Sequence, residues 1–194
     1  VFSGGSAFNQ SLNSWNVSSV TNMQSMFDGA SSFNSNITSW NVGSVTNMID
    51  MFRHARTFNK DISSWDVSNV TNMRGMFQIS IAFNQDISGW DVSNVTDMSE
   101  MFEGNAAIST TFNQNLASWD IGNVTTMTSM FLRNTGFSDA NYKSTIIGWA
   151  AQSTQNNVTA HFGSAQLIDT AGQNARTTLV GRGWTITDGD GTHT

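Results

Sequence analysis

A column of short polar side chains is the first candidate for chemistry. Asn16, Asn41, Asp66, Asp91 and Asp120 follow one another at intervals of 25, 25, 25 and 29 residues. Ser14, Ser39, Ser64, Gly89 and Ser118 stand two residues before them, and Ser18, Gly43, Ser68, Ser93 and Gly122 two after. A second acidic pair, Asp61 and Asp86, lies just upstream. Small neighbours leave such a column flat and open. Asn16, Asn41, Asp66, Asp91 and Asp120, with Ser39, Ser64 and Ser118, are therefore the candidate ligand-binding residues. They suit an amine-bearing peptide, a protein, a glycan or Ca²⁺. The same pattern also suits a solvated face kept polar for solubility. Stacked carboxylates about 5 Å apart repel by roughly 1 kcal/mol in water, so the column does not by itself demand a cation.

Catalysis has little to work with. The carboxylates recur in repeated environments, whereas acid–base chemistry needs two carboxyls held in different ones. Three histidines are present. His54 sits among Arg53, Ala55 and Arg56, and His161 is out of phase with Val158, Ala160 and Phe162, so both are expected to face solvent; His193 lies in the polar tail. No nucleophile elbow, zincin helix or phosphate loop occurs. No catalytic residue, no metal ligand and no enzyme activity are expected. Asp188-x-Asp190-Gly191 opens like a calcium loop without its remainder, so Ca²⁺ near Asp188 and Asp190 is the only cofactor to consider. Asn69-Val-Thr71, Asn94-Val-Thr96 and Asn123-Val-Thr125 match a glycosylation sequon, but recur because a longer word recurs. Arg53, Arg56 and Arg74 read as a solvated face rather than an anion site.

Composition narrows the classes further. The 194 residues carry 8 Lys+Arg against 14 Asp+Glu, a net charge of −6, with no Cys and no Pro. Scattered basic residues on an acidic chain argue against nucleic acid. Missing cysteine removes disulfides and thiolate chemistry. No apolar run is long enough to span a bilayer as a helix. Seven Trp, 13 Phe and 10 Met demand a packed interior.

The elements that must carry the column are repeats. Trp15, Trp40, Trp65 and Trp90 are 25 residues apart, and Trp119 follows at 29. One unit reads Phe58-Asn59, Ile62, Trp65, Val67, Val70-Thr71, Met73, Met76-Phe77. Units start near Phe8, Phe33, Phe58, Phe83 and Phe112, after a partial unit at 1–7. The four extra residues of the fifth spacing form a loop between Phe102 and Phe112. Trp65 and Val67 have strand periodicity; Val70, Met73, Met76 and Phe77 have helical periodicity, with Ser68 or Thr71 as N-cap. The expectation is an α/β, right-handed leucine-rich-repeat-like solenoid over 1–137. Each 25-residue repeat would hold one short parallel strand and one short helix, with Asn after Phe bonding backbone between coils. The chain starts inside a repeat, as a piece of a longer array would.

The word Phe-Asn-x-(Asp/Asn)-Ile-x-x-Trp-(Asp/Asn)-Val-x-x-Val-Thr-x-Met-x-x-Met-Phe closely resembles the BspA-like leucine-rich-repeat surface proteins of bacteria, over 1–137. Trp takes the place of the second Leu of the usual strand motif. The resemblance implies a non-catalytic, extracellular adhesion or ligand-binding module on a bacterial surface, within a larger protein. Its partners would be a host or neighbouring-cell surface protein, peptide or glycan, with no nucleic acid and no membrane insertion. A rigid structural spacer is the alternative. Residues 138–187 read as a C-terminal cap, with helices from Asp139 and Ala171 and strands at Val158–Phe162 and Trp184–Thr187. Residues 188–194 read as a polar tail or linker. The half unit at the N-terminal end could associate end to end with another copy.

Overall fold

The computed structural model describes residues 2–167 and 169–189. The regular elements among them all lie in the C-terminal segment: helix α1 (Asp139–Ala150), strand β1 (Thr159–His161), helix α2 (Thr170–Val180) and strand β2 (Thr185–Thr187). This overturns the leucine-rich-repeat-like α/β solenoid. Among the described residues no repeat contains a helix or a paired strand, and the leucine-rich-repeat description falls with them.

The physical reason lies in the turns. Asn36, Asn41 and Asn47 each accept, through Oδ1, the backbone N–H two residues ahead, at 2.9, 3.1 and 2.9 Å. Asp61, Asp66 and Asn72 do the same one repeat later, then Asp86, Asp91 and Asp97. An Asx side chain that mimics a backbone turn bends the chain three times per unit. The Trp65-x-Val67 alternation thus lies between two turns, and both side chains are buried. Ser68, expected as an N-cap, gives its hydroxyl to Asp66 instead.

The apparent helix fails for a second reason. Ser25, Asp50, Glu100 and Ser129 have φ of 51, 54, 62 and 60°, and Gly75 occupies the same register at 61°. Left-handed residues at that frequency cannot belong to a right-handed helix. The N–H groups of Met48, Asp50, Phe52 and His54 instead reach the carbonyls of Asn72, Arg74, Met76 and Gln78 in the next unit, at 2.8–3.0 Å. Isolated parallel bridges join Asn22, Asn47, Asn72, Asp97 and Thr126 in one line.

Three side-chain columns accompany this backbone contact. The Asn after each Phe forms a ladder at the surface. Asn34 N bonds Asn9 Oδ1, Asn59 N bonds Asn34 Oδ1, Asn84 N bonds Asn59 Oδ1 and Asn113 N bonds Asn84 Oδ1, at 2.8–3.0 Å. The indoles run through the interior. Trp40, Trp65, Trp90 and Trp119 donate Nε1–H to the carbonyls of Leu12, Ile37, Ile62 and Ile87 in the unit before, at 2.8, 3.3, 3.1 and 3.0 Å. Trp15, first in the column, is 46% exposed and lies against Phe2, whereas Trp40, Trp65 and Trp90 are each 3% exposed. The last phenylalanine of each unit stacks face to face on the first of the next, as in Phe52–Phe58 at 4.1 Å and Phe77–Phe83 at 3.8 Å. Phe27, Phe52, Phe77 and Phe102 succeed one another at 5.4, 5.6 and 5.8 Å. Such offset pairs add roughly 0.5–1.5 kcal/mol each beyond their buried area.

The ladder is testable. Asn59 Oδ1 also accepts from Gln85 Nε2 at 2.9 Å. Asn59→Ala is expected to cost about 1 kcal/mol in urea denaturation, and Asn59→Asp, which keeps the acceptor, less. Equal losses for both would show that the acceptor is not what matters.

The C-terminal segment continues the pattern with regular elements. Ser138 caps α1 by accepting from Asn141 N, while its own N–H bonds Asn113 Oδ1 at 2.9 Å, the next rung of the Asn ladder. Trp149 on α1 donates to Leu116 O at 2.9 Å and so joins the indole column. Ala160 of β1 bridges Met127, and β1 pairs with β2 in parallel, Ala160 opposite Ile186. Helix α2, capped by Asp169, packs on α1. Between Phe102 and Phe112 the extra residues close a turn in which Asn105 Oδ1 accepts from Ala107 and Ile108 N–H. Among the described residues no helix is long and apolar enough to cross a membrane.

Candidate functional site

Asn16, Asn41, Asp66, Asp91 and Asp120 all stand exposed in one column, with Ser39, Ser64 and Ser118 exposed beside them. The face is built of turns rather than strands. Each column residue uses Oδ1 to accept the N–H two residues on, from Ser18, Gly43, Ser68, Ser93 and Gly122 in order, at 2.9–3.1 Å. Their residue type is therefore first a demand of the turn. Sequence reasoning missed this, although the signal was present: Asx stands two residues before Ser, Thr or Gly again and again in each unit.

Many hydrogen-bond donors on this face are engaged internally. Ser39 Oγ donates to Asn13 O at 2.7 Å, and Ser118 Oγ to Ser88 O at 2.7 Å. Ser68 and Ser93 hydroxyls donate to Asp66 and Asp91, both at 2.6 Å. The sequon asparagines Asn69, Asn94 and Asn123 use Nδ2 on the carbonyls of Gly43, Ser68 and Ser93, at 2.7–2.8 Å. At Asp61, Asp66, Asp86, Asp91 and Asp120 the free capacity is the second carboxylate oxygen, which only accepts.

Four of those carboxylates, Asp61, Asp66, Asp86 and Asp91, hold their charge. Hydrogen bonds from the serine two residues ahead, hydroxyl first and backbone N–H second, hold Asp61, Asp66, Asp86 and Asp91 below the usual carboxylate range. The neighbouring Asp66 pushes Asp91 the other way, but less. Two shallow hollows border the column at its C-terminal end. One of about 450 Å³ is lined by Asp86, Ser88, Gln114, Asn115 and Ser118 with Asn141 of α1. The other, about 570 Å³, is lined by Ser118, Asp120, Gly122 and Asn123 with Gln152 and Ser153. They share Ser118, where α1 replaces the next turn-built unit.

Of the remaining candidates, Arg56 and Arg74 are exposed, as expected of a solvated face, whereas His161 and Asp188 are placed differently from expectation. Arg53 pairs with Asp28 at 2.7 Å and Arg74 with Glu100 at 3.1 Å, each joining two successive units. Burial pushes the carboxyls of Asp50 and Glu103 up on this same side of the repeats. His54 Nδ1 lies 3.6 Å from Asp28. His161 is not solvent-facing: its ring is half-buried and Nδ1 accepts the Ser129 N–H at 2.8 Å. Asp188 does not open a calcium loop. Its buried carboxylate accepts from Tyr142 Oη, and from Arg176 Nε at 3.1 Å. Asp190, His193 and most of the tail assigned to 188–194 lie outside the described residues. No trio of His, Asp or Glu converges as a metal site among the described residues.

The comparisons agree with the repetition and are silent on chemistry. No curated protein and no solved structure matches the chain. One family matches twice, at residues 1–78 and 57–174. The two matches overlap across 57–78, as a repeated word permits. Together they cover most of the sequence, and the chain belongs to the family described as Mycoplasma protein of unknown function, DUF285.

Proposed function

We propose that the chain is a non-catalytic adhesion or ligand-binding module displayed on a bacterial cell surface, and that it binds through the turn-built polar face. The observation that carries this reading is the asymmetry of that face. The hydroxyls of Ser39, Ser68, Ser93 and Ser118 are engaged within the protein, while the carboxylates of Asp61, Asp66, Asp86, Asp91 and Asp120 stand exposed. An acceptor-rich strip on a chain of net charge −6 favours a partner that brings donors and positive charge. A Lys- or Arg-bearing segment of a neighbouring surface protein fits better than a neutral glycan. The resemblance of the repeat word to bacterial surface repeats supports the extracellular setting.

Calorimetry with a lysine-rich peptide and with neutral oligosaccharides tests the proposal. Saturable peptide binding is expected, weakening with salt and at least tenfold weaker in the double variant Asp66→Ala/Asp91→Ala. Unchanged affinity in the double variant would remove this face from the account. A second reading, a rigid spacer, draws on the same internal saturation of hydrogen bonds. Its signature is no saturable binding to either class of ligand.

A further inference from the structure

Throughout the repeats one register position gives its N–H to the unit that follows. Ser25 N bonds Ile49 O, Asp50 N bonds Arg74 O and Gly75 N bonds Ser99 O, each at 2.8 Å, and Glu100 N bonds Thr128 O at 2.9 Å. All four donors have left-handed φ, as does Ser129, the fifth member at 60°. The first four acceptors are backbone carbonyls, which do not titrate. The fifth is different: Ser129 N–H meets the imidazole Nδ1 of His161 at 2.8 Å. Backbone pairing resumes on either side, with Met127 N to Thr159 O at 3.2 Å and Phe131 N to His161 O at 3.0 Å. At the joint between the last repeat and β1, a titratable side chain stands where every earlier unit uses a carbonyl.

An imidazole accepts at Nδ1 only when it is neutral and carries its proton on Nε2. Protonation turns that acceptor into a second donor facing the Ser129 N–H. The surroundings resist an imidazolium. Burial pulls the His161 pKa below its ordinary value. A hollow of about 320 Å³ beside the ring is lined by Leu132, Arg133, Gly163, Ser164, Thr187 and Gly189, and its charged member, Arg133, carries the same sign as an imidazolium. On the β2 side, Asp188 is turned to Tyr142 and Arg176.

We propose that the Ser129–His161 bond is an acid-sensitive joint, whose protonation loosens the contact between β1 and the fifth repeat at Ser129. The sign follows from linkage. The folded chain holds His161 neutral, while an unfolded segment binds a proton near pH ~6.5. The joint is therefore fully formed above that pH. It weakens as pH falls through it, down to the lowered value of the folded ring. Successive earlier units, joined by carbonyl acceptors, have no such step.

Amide hydrogen exchange of the full chain by NMR, corrected for intrinsic rates, reads this directly. Between pH 7 and pH 5 the protection of Ser129 is expected to fall about tenfold relative to Asp50 and Glu100, the loss of one partly buried hydrogen bond. In His161→Asn, whose side-chain oxygen accepts without titrating, the ratio is expected to stay constant. A parallel decline at Ser129, Asp50 and Glu100 in the wild type would overturn the proposal. So would the same Ser129 profile in wild type and variant. If the variant does not fold, the wild-type ratio alone decides.

Discussion

Phe77→Ala is expected to cost about 3–5 kcal/mol of stability, the range for removing a fully buried ring. Phe77 is 1% exposed. Its ring lies 3.8 Å from Phe83 at the start of the next unit, and 5.6 and 5.8 Å from Phe52 and Phe102, its counterparts one repeat before and after. Trp90 approaches to 6.5 Å. A cavity here cannot easily collapse. The backbone on both sides is tied between units, Phe52 N to Met76 O and Phe77 N to Met101 O, each at 2.9 Å. Phe8 provides the control. It stacks on Phe2 at 4.0 Å and Phe33 at 5.8 Å but is only half-buried. Phe8→Ala should therefore cost clearly less, about 1–2 kcal/mol on buried area. Urea denaturation followed by Trp fluorescence measures both. A Phe77 variant no less stable than the Phe8 variant would mean that the aromatic column does not carry the stability assigned to it.

Asp188→Ala is expected to cost about 3–5 kcal/mol, the penalty of breaking a buried charged network from one side. The carboxylate is 5% exposed and is the shared acceptor for Tyr142 Oη and Arg176 Nε. Tyr142 is fully buried on α1, and its ionisation is pushed up, first by burial and then by its bond to Asp188. Arg176 on α2 also donates to Ile186 O of β2 at 3.0 Å. One carboxylate thus ties α1, α2 and the end of β2 together. Asp188→Asn keeps an acceptor for the tyrosine but loses the charge facing Arg176, and about 1–2 kcal/mol is expected for it. The C-terminal segment should lose its helical circular dichroism earlier in urea than the wild type does. Equal stability of the alanine and wild-type chains would refute the clasp.

Much of the architecture was readable because translation by one repeat copies every environment. The 25-residue spacing of Trp15 to Trp90 anticipated indoles in one column, and Phe58-Asn59 anticipated a bonded Asn ladder; both sets of contacts are present. Local conformation was not readable in the same way. Val70, Met73, Met76 and Phe77 satisfy a helical stripe, yet turns that repeatedly return the chain to one interior give the same burial. What separates the two is the sign of φ at Asp50, His54 and Ile79. Asp and His tolerate the left-handed region, but isoleucine rarely enters it, so no residue type there announced the conformation. The polar column was visible as a surface. Its turn-forming role was not, because an Asx that caps a turn and one that binds a ligand are the same residue type.

Period, composition and the alternation of apolar and polar positions determined which side chains face inward, since burial of aromatic and thioether surface depends mainly on pattern. Only the tertiary structure decided how the backbone hydrogen bonds are shared. They run between units because left-handed residues turn successive N–H groups toward the neighbour. The same applies to the two contacts that no periodicity could announce. His161 reaches Ser129 across 32 residues and Asp188 reaches Tyr142 across 46, each where the repeat ends and translation no longer copies its surroundings.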